Sequence, residues 1–175
     1  MRIACLLTND FEDSEFQKPA EALRSAGHDV VVIGPEAGRE ITGKRHQATT
    51  RSDLGIADAR PDDFDALLIP GGYSPDQLRA DQRFVDFTRA FFERERPVFA
   101  VCHGPQLLLT AGVVKGRRMT AWKTIQVDLR HADVDVVDEE VVVDRNLVTS
   151  RQPSDLDAFS RESVKMLQSV AATVR

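Results

Sequence analysis

The segment Ala100-Val101-Cys102-His103-Gly104 sets a thiol between a hydrophobic strand and the start of a short apolar helix. This pattern is that of a nucleophile elbow, with Cys in place of Ser and Ala in place of the first Gly. A sharp strand-to-helix turn holds such a side chain out over the edge of a sheet, and the partial positive charge of the helix start favours thiolate. The first amides of that helix can also hold an oxyanion. The plain alternative is a small buried thiol, which is the usual fate of a free cysteine. Cys5 fits that alternative, because it sits mid-strand with no helix start beside it.

Other residues can join Cys102. His103 adjoins it and can serve as base or simply as a hydrogen-bonding group. Pro70-Gly71-Gly72 closes another apolar run; it is a tight turn or a place where backbone approaches a bound group, and a free amide there can complete an oxyanion hole. Glu12 follows the first apolar run. It can point a carboxyl into the same crevice, or belong to the solvated first turn of a helix. Asp76 reads locally as a helix N-terminal residue after Pro75, and Trp122 as a wall of the crevice or a core residue.

The elements that must place these residues follow from periodicity. Apolar runs at 2–8, 29–33, 64–69 and 97–101 read as buried strands, and 14–26, 81–95 and 104–112 as helices. In the helix at 14–26, Phe16, Ala20 and Leu23 form the apolar face, with Glu15, Lys18, Glu21 and Arg24 off it. Gly27 ends that helix. Short strands are expected around Ile41 and 47–49. Further short strands are expected at 119–122, 134–137, 141–143 and 147–149, with Asp144-Arg145-Asn146 as a hairpin turn. A last helix runs from Pro153 to about 171, with Ser154 or Asp155 as its cap. Strands alternating with helices predict a single α/β domain over 1–175, a flavodoxin-like three-layer sandwich with a mostly parallel sheet. In such folds the ligand crevice lies beyond the carboxyl ends of the strands.

Composition excludes several classes. The 175 residues carry a net charge of −5, which is no footprint for nucleic-acid binding. Two cysteines cannot build a disulfide framework, and His28, His46 and His131 lack metal spacing, so neither metal nor cofactor is expected. No run nears the roughly 18 apolar residues of a membrane span. Without a cleavage signature near Met1, a reducing cytoplasm is the expected compartment.

The stretches around Asn9–Asp13, Leu68–Gly72 and Ala100–Leu108, with Ile41–Lys44, Glu140–Asp144 and Ser150–Leu156, resemble the PfpI family of the class-I glutamine-amidotransferase-like superfamily. Gly72-Tyr73-Ser74-Pro75-Asp76 is most similar to its bacterial general-stress branch. The resemblance implies Cys102 as nucleophile and His103 as its partner. It also implies Glu12 hydrogen-bonded to Cys102, and oxyanion amides at Gly72 and His103, with Gly71 and Trp122 in the pocket. Asp76 would orient His103 from a neighbouring subunit, in dimers or larger rings of dimers; protease-like members carry Glu at that position. The implied activities are glyoxalase or deglycase action on small reactive carbonyls and their adducts, with intracellular cysteine peptidase as an alternative. An oxidation-sensing stress protein without turnover is a further reading. Glutamine hydrolysis is disfavoured, since no histidine follows residue 145.

Overall fold

A computed structural model describes residues 1–173. Strands β1 (Arg2–Leu6), β2 (Asp29–Gly34), β3 (Glu40–Thr42), β4 (Thr49–Arg51), β5 (Leu54–Gly55), β6 (Ala66–Ile69) and β7 (Val98–Val101) make the first part of the chain. They alternate with helices α1 (Asp13–Ser25), α2 (Ser74–Leu78), α3 (Gln82–Glu93) and α4 (Pro105–Ala111). The remainder holds β8 (Arg118–Met119), α5 (Lys123–His131), β9 (Asp135–Val136), β10 (Val141–Asp144), β11 (Leu147–Ser150) and α6 (Leu156–Thr173).

Seven strands form one sheet in the order β10-β11-β7-β6-β1-β2-β5. Every pairing in it is parallel except β10 with β11, which are joined by the expected hairpin. The strands read as continuous apolar runs because both faces are covered. Ala4 and Leu6 pack on one side with Phe84, Phe91 and Leu107 of α3 and α4. Ile3 and Cys5 pack on the other with Phe16 and Leu23 of α1 and Phe159 of α6. The α/β sandwich with a mostly parallel sheet agrees with the sequence expectation.

From β1 the chain moves outward to β2, then returns to the other side of β1 for β6 and continues to β7. The order therefore reverses between β1 and β6. A crevice opens at such a switch point, beyond the carboxyl ends of the strands. The loops after β1, β6 and β7 meet there.

Local signals explain the element ends. Gly27, at φ +84°, follows the last turn of α1, and Gly112, at φ +72°, closes α4. The β3–β4 hairpin occurs, with β4 shifted about two residues C-terminal to the expected run. Three expectations fail. Residues 123–131 form α5, a helix that the periodicity does not predict; Ile125 and Leu129 alone mark its buried apolar face, and Trp122 gives it no side-chain cap. Neither Ser154 nor Asp155 caps α6: Asp155 accepts instead from the Arg151 amide and guanidinium. Glu15 is off the solvent face and fully buried, because the first turn of α1 abuts the sheet at the switch point.

Gly104 sits where α4 leaves the sheet. A Cβ there would lie 2.6 Å from the Ile69 carbonyl oxygen and 3.0 Å from the Val101 backbone. Gly104→Ala should therefore lower the unfolding free energy by about 1–3 kcal/mol. Urea unfolding of the two proteins checks this, and an unchanged midpoint would contradict it.

Candidate active site

Cys102 follows the last residue of β7 with φ +60°, a left-handed conformation uncommon for a residue with a side chain. Neighbouring backbone imposes it. The Cys102 amide donates to Ser150 O at 2.9 Å, the Trp122 amide donates to Cys102 O at 3.0 Å, and the Gly104 amide returns to Val101 O at 2.8 Å. The thiol is thus turned out of the strand into a cleft of about 370 Å³, lined among others by Glu12, Glu15, Lys44, Gly72, His103 and Trp122. It is 7% exposed. Cys5 is wholly buried in the core, as expected.

The amides of Gly72 and His103 find no backbone acceptor among the described residues, and both approach the Cys102 sulfur. Gly72 has φ +78° and pairs with Phe11 across the crevice. Gly71 lies one layer deeper. Its amide donates to Glu15 Oε2 at 3.0 Å, and its carbonyl accepts from the Glu12 amide at 3.2 Å. A Cβ at Gly71 would meet the Glu15 carboxylate and stand 2.8 Å from Cys102 Cβ, so only glycine fits.

The carboxyl that reaches Cys102 is Glu15, and the expected contact from Glu12 is corrected accordingly. Glu12 Oε2 pairs with Lys44 Nζ at 2.8 Å, and its Oε1 with Arg45 Nε at 3.3 Å. Glu12 faces the cleft but is held by cations at its rim. Glu15, three residues on, projects from the first turn of α1 into the same cleft: its Oε2 accepts the Gly71 amide, its Oε1 is buried without a hydrogen-bond partner, and its charge acts on the Cys102 thiol. Sequence spacing left Glu15 among the polar positions of the helix. The signal that could have found it is its place in the first turn, next to the crevice loop.

Burial drives the titration of this pair. It pushes the Glu15 carboxyl up to about 8, assisted by the charge of Glu12 and opposed by the contacts with Cys102 and Gly71. Burial also pushes the Cys102 thiol up, and an ionised Glu15 pushes it further; the His103 and Gly72 amides pull it back. The expected low-pKa thiolate is therefore corrected: desolvation outweighs the helix start. Below about pH 8 Glu15 is neutral, and in that form it no longer repels a charge on the sulfur.

His103 Nδ1 lies 3.3 Å from Cys102 Sγ. Burial, with Lys44 nearby, lowers the His103 pKa against the opposing charge of Asp76, so the ring is neutral and can take a proton. Trp122 stacks on it, with centroids 6.4 Å apart, and walls the cleft. Asp76 does not hydrogen-bond His103 within the chain. It is 59% exposed and accepts from its own Arg79 at 2.7 and 2.9 Å. Among the described residues no group of His, Cys, Asp and Glu has an arrangement that could hold a metal ion.

Unfolding frees Glu15 into water, where it ionises above its ordinary value of 4.5, whereas in the fold it keeps its proton to about pH 8. Stability therefore falls as pH rises across that window, by about 1.4 kcal/mol per pH unit. Glu15→Gln removes the slope. Urea titrations from pH 4.5 to 8 should show the variant gaining steadily on its parent, and parallel curves would contradict the assignment.

Residues 1–166 match the DJ-1/PfpI family. The chain is 52% identical over 167 residues to protein/nucleic acid deglycase 2 of Escherichia coli (strain K12), covering 95% of this chain and 97% of that protein. It is 54% identical over 168 residues to general stress protein 18 of Bacillus subtilis (strain 168), covering 95% and 98%. Among solved structures, it superposes with a TM-score of 0.93 and 38% identity on a two-domain protein from Anabaena variabilis ATCC 29413 containing DJ-1/ThiJ/PfpI-like and ferritin-like domains. That match covers 95% of this chain and 48% of the other. Drosophila melanogaster DJ-1beta gives a TM-score of 0.86 at 26% identity, covering 99% and 96%. With the family match spanning nearly the whole chain, and these relatives alike along their full length, the chain belongs to the DJ-1/PfpI family.

Proposed function

We propose that this chain is a cysteine-dependent stress-defence enzyme that hydrolyses small 2-oxoaldehydes, or the adducts they form with amines. The observation that carries the reading is the buried Cys102–Glu15 pair facing two free amides, Gly72 and His103. The relatives' names, a protein/nucleic acid deglycase and a general stress protein, point the same way. A cleft of about 370 Å³ suits a small carbonyl better than an extended peptide. The reading places the enzyme in the cytoplasm as a homo-oligomer, with Asp76 of a neighbouring copy orienting His103.

With methylglyoxal, His103 takes the thiol proton and Cys102 sulfur adds to the aldehyde carbon. The resulting alkoxide rests on the Gly72 and His103 amides and receives the Glu15 proton. The Glu15 carboxylate then removes the hydrogen of that carbon as a proton and returns it to the neighbouring carbon. The hydroxyl proton meanwhile passes between the two oxygens. The aldehyde carbon is oxidised and the ketone carbon reduced, leaving a lactoyl thioester. Glu15 takes a proton from water, and the hydroxide adds to the acyl carbon. The thiolate leaves and recovers its proton from His103. The products are lactic acid and the starting enzyme.

Cys102→Ala should abolish lactate formation from methylglyoxal, and Glu15→Gln should lower kcat/KM by about 10²–10⁴. Enzymatic lactate assay of the purified proteins decides it: equal rates for the parent and Cys102→Ala would sink the proposal.

A further inference from the structure

The rim of the cleft carries a charge arrangement that the proposed chemistry does not use. Lys44 and Arg45 share one carboxylate, Glu12, which is itself buried. Asp76, beyond His103, is already paired with Arg79. Glu15 is neutral below about pH 8. The charges that reach solvent at this part of the opening are therefore the cations Lys44 and Arg45, whereas the Glu12 and Asp13 carboxylates that balance them are buried. Lys44 is one-third exposed and stands 5.7 Å from the Tyr73 ring centroid, and its field reaches both Cys102 and His103. The Arg45 side chain is mostly exposed, with its Nε 3.3 Å from Glu12 Oε1.

These cations sit on a fixed backbone. The buried carboxylate of Asp13 accepts the amides of Arg45, Gln47 and Ala48 at 2.9, 2.8 and 2.7 Å. Burial opposes its ionisation, but those amides outweigh burial and hold it below the usual carboxylate range. The Lys44 amide donates to Phe11 O at 2.9 Å, which ties the same loop to the crevice. Long cationic side chains on a rigid loop, standing further out than the buried carboxylates that balance them and beside a small partly desolvated cleft, attract anions from solution.

We infer that Lys44 and Arg45 are specificity residues that select substrates bearing a carboxylate or phosphate a few bonds from the reactive carbonyl, with Glu12 setting how strong that preference is. The inference rests on Cys102 being the nucleophile. A carboxylated 2-oxoaldehyde such as 4,5-dioxopentanoate represents the class, and 2-oxopentanal is its uncharged counterpart. Conversion of the former by the chemistry above gives 2-hydroxyglutarate, with the remote carboxylate unchanged.

Alkylation of Cys102 tests the field without requiring turnover. Iodoacetate is anionic and iodoacetamide neutral, and each forms a thioether at sulfur with loss of iodide. Intact mass gives the ratio of their rates. Lys44→Gln and Arg45→Gln should each lower the iodoacetate-to-iodoacetamide ratio, by about threefold or more. Glu12→Gln should raise it, a direction that mere loosening of the loop would not produce. In the unaltered protein, roughly 0.5 M salt should lower the ratio, because exposed charges are screened over a few ångströms. A ratio indifferent to salt and to all three substitutions overturns the inference while leaving the nucleophile intact. Failure of both reagents to modify Cys102 removes the nucleophile, and the inference with it. The ratio of kcat/KM for 4,5-dioxopentanoate over 2-oxopentanal should follow the same pattern, and a ratio near one in the unaltered protein also overturns it.

Discussion

A carboxyl group and a thiol buried side by side cannot both give up their protons, and the candidate site depends on this constraint. Neither Glu15 nor Cys102 is acidic in its surroundings, because desolvation acts on both. Each becomes useful only through the other. A neutral Glu15 can donate to an oxygen growing on a substrate, and it becomes a base only after it has donated. The thiol proton has its own acceptor at His103, 3.3 Å away, which matters in a cleft where the sulfur is nearly covered.

The fold supplies the geometry for that pair in few steps. The order of strands reverses between β1 and β6, so the first turn of α1 comes against the end of β6. Gly71 then fixes Glu15 through its amide, and no larger residue fits between them and Cys102. The end of β7 supplies the thiol in a backbone conformation held from Ser150 and Trp122. Three neighbouring parallel strands thus each deliver one part of the site: carboxyl, amide and sulfur. Displacing any one of them separates groups that work only in contact.

Much of this was legible in the sequence. The apolar runs of β1, β2, β6 and β7 are uninterrupted because both sheet faces are covered, and the elbow at Cys102 and the pair Gly71-Gly72 mark the ends of two of them. Trp122 was a candidate wall and is one. The choice between Glu12 and Glu15 was not legible, since both lie near one helix start. Which one turns inward depends on where α1 meets the sheet, a tertiary contact. The direction of the thiol's titration was hidden for the same reason: helix-start polarity is a local signal, whereas desolvation depends on everything packed around the sulfur. α5 is not legible in the sequence because Ile125 and Leu129 alone are too few to show a helical period. Nor does sequence separation show that Lys44 and Arg45, some thirty residues beyond Glu12, pair with it.

Asp13 holds the 43–48 loop through main-chain amides and touches none of its side chains with that carboxylate. Such an anchor is blind to the side chains of Arg45, Gln47 and Ala48, though not at Gly43, where a Cβ would collide with the carboxylate. Residues at the rim can be exchanged over generations, or in a laboratory library, without loosening the loop that carries them. The scaffold thereby separates the groups that chemistry needs in place from those that can be varied, and one framework can give rise to enzymes with differing appetites.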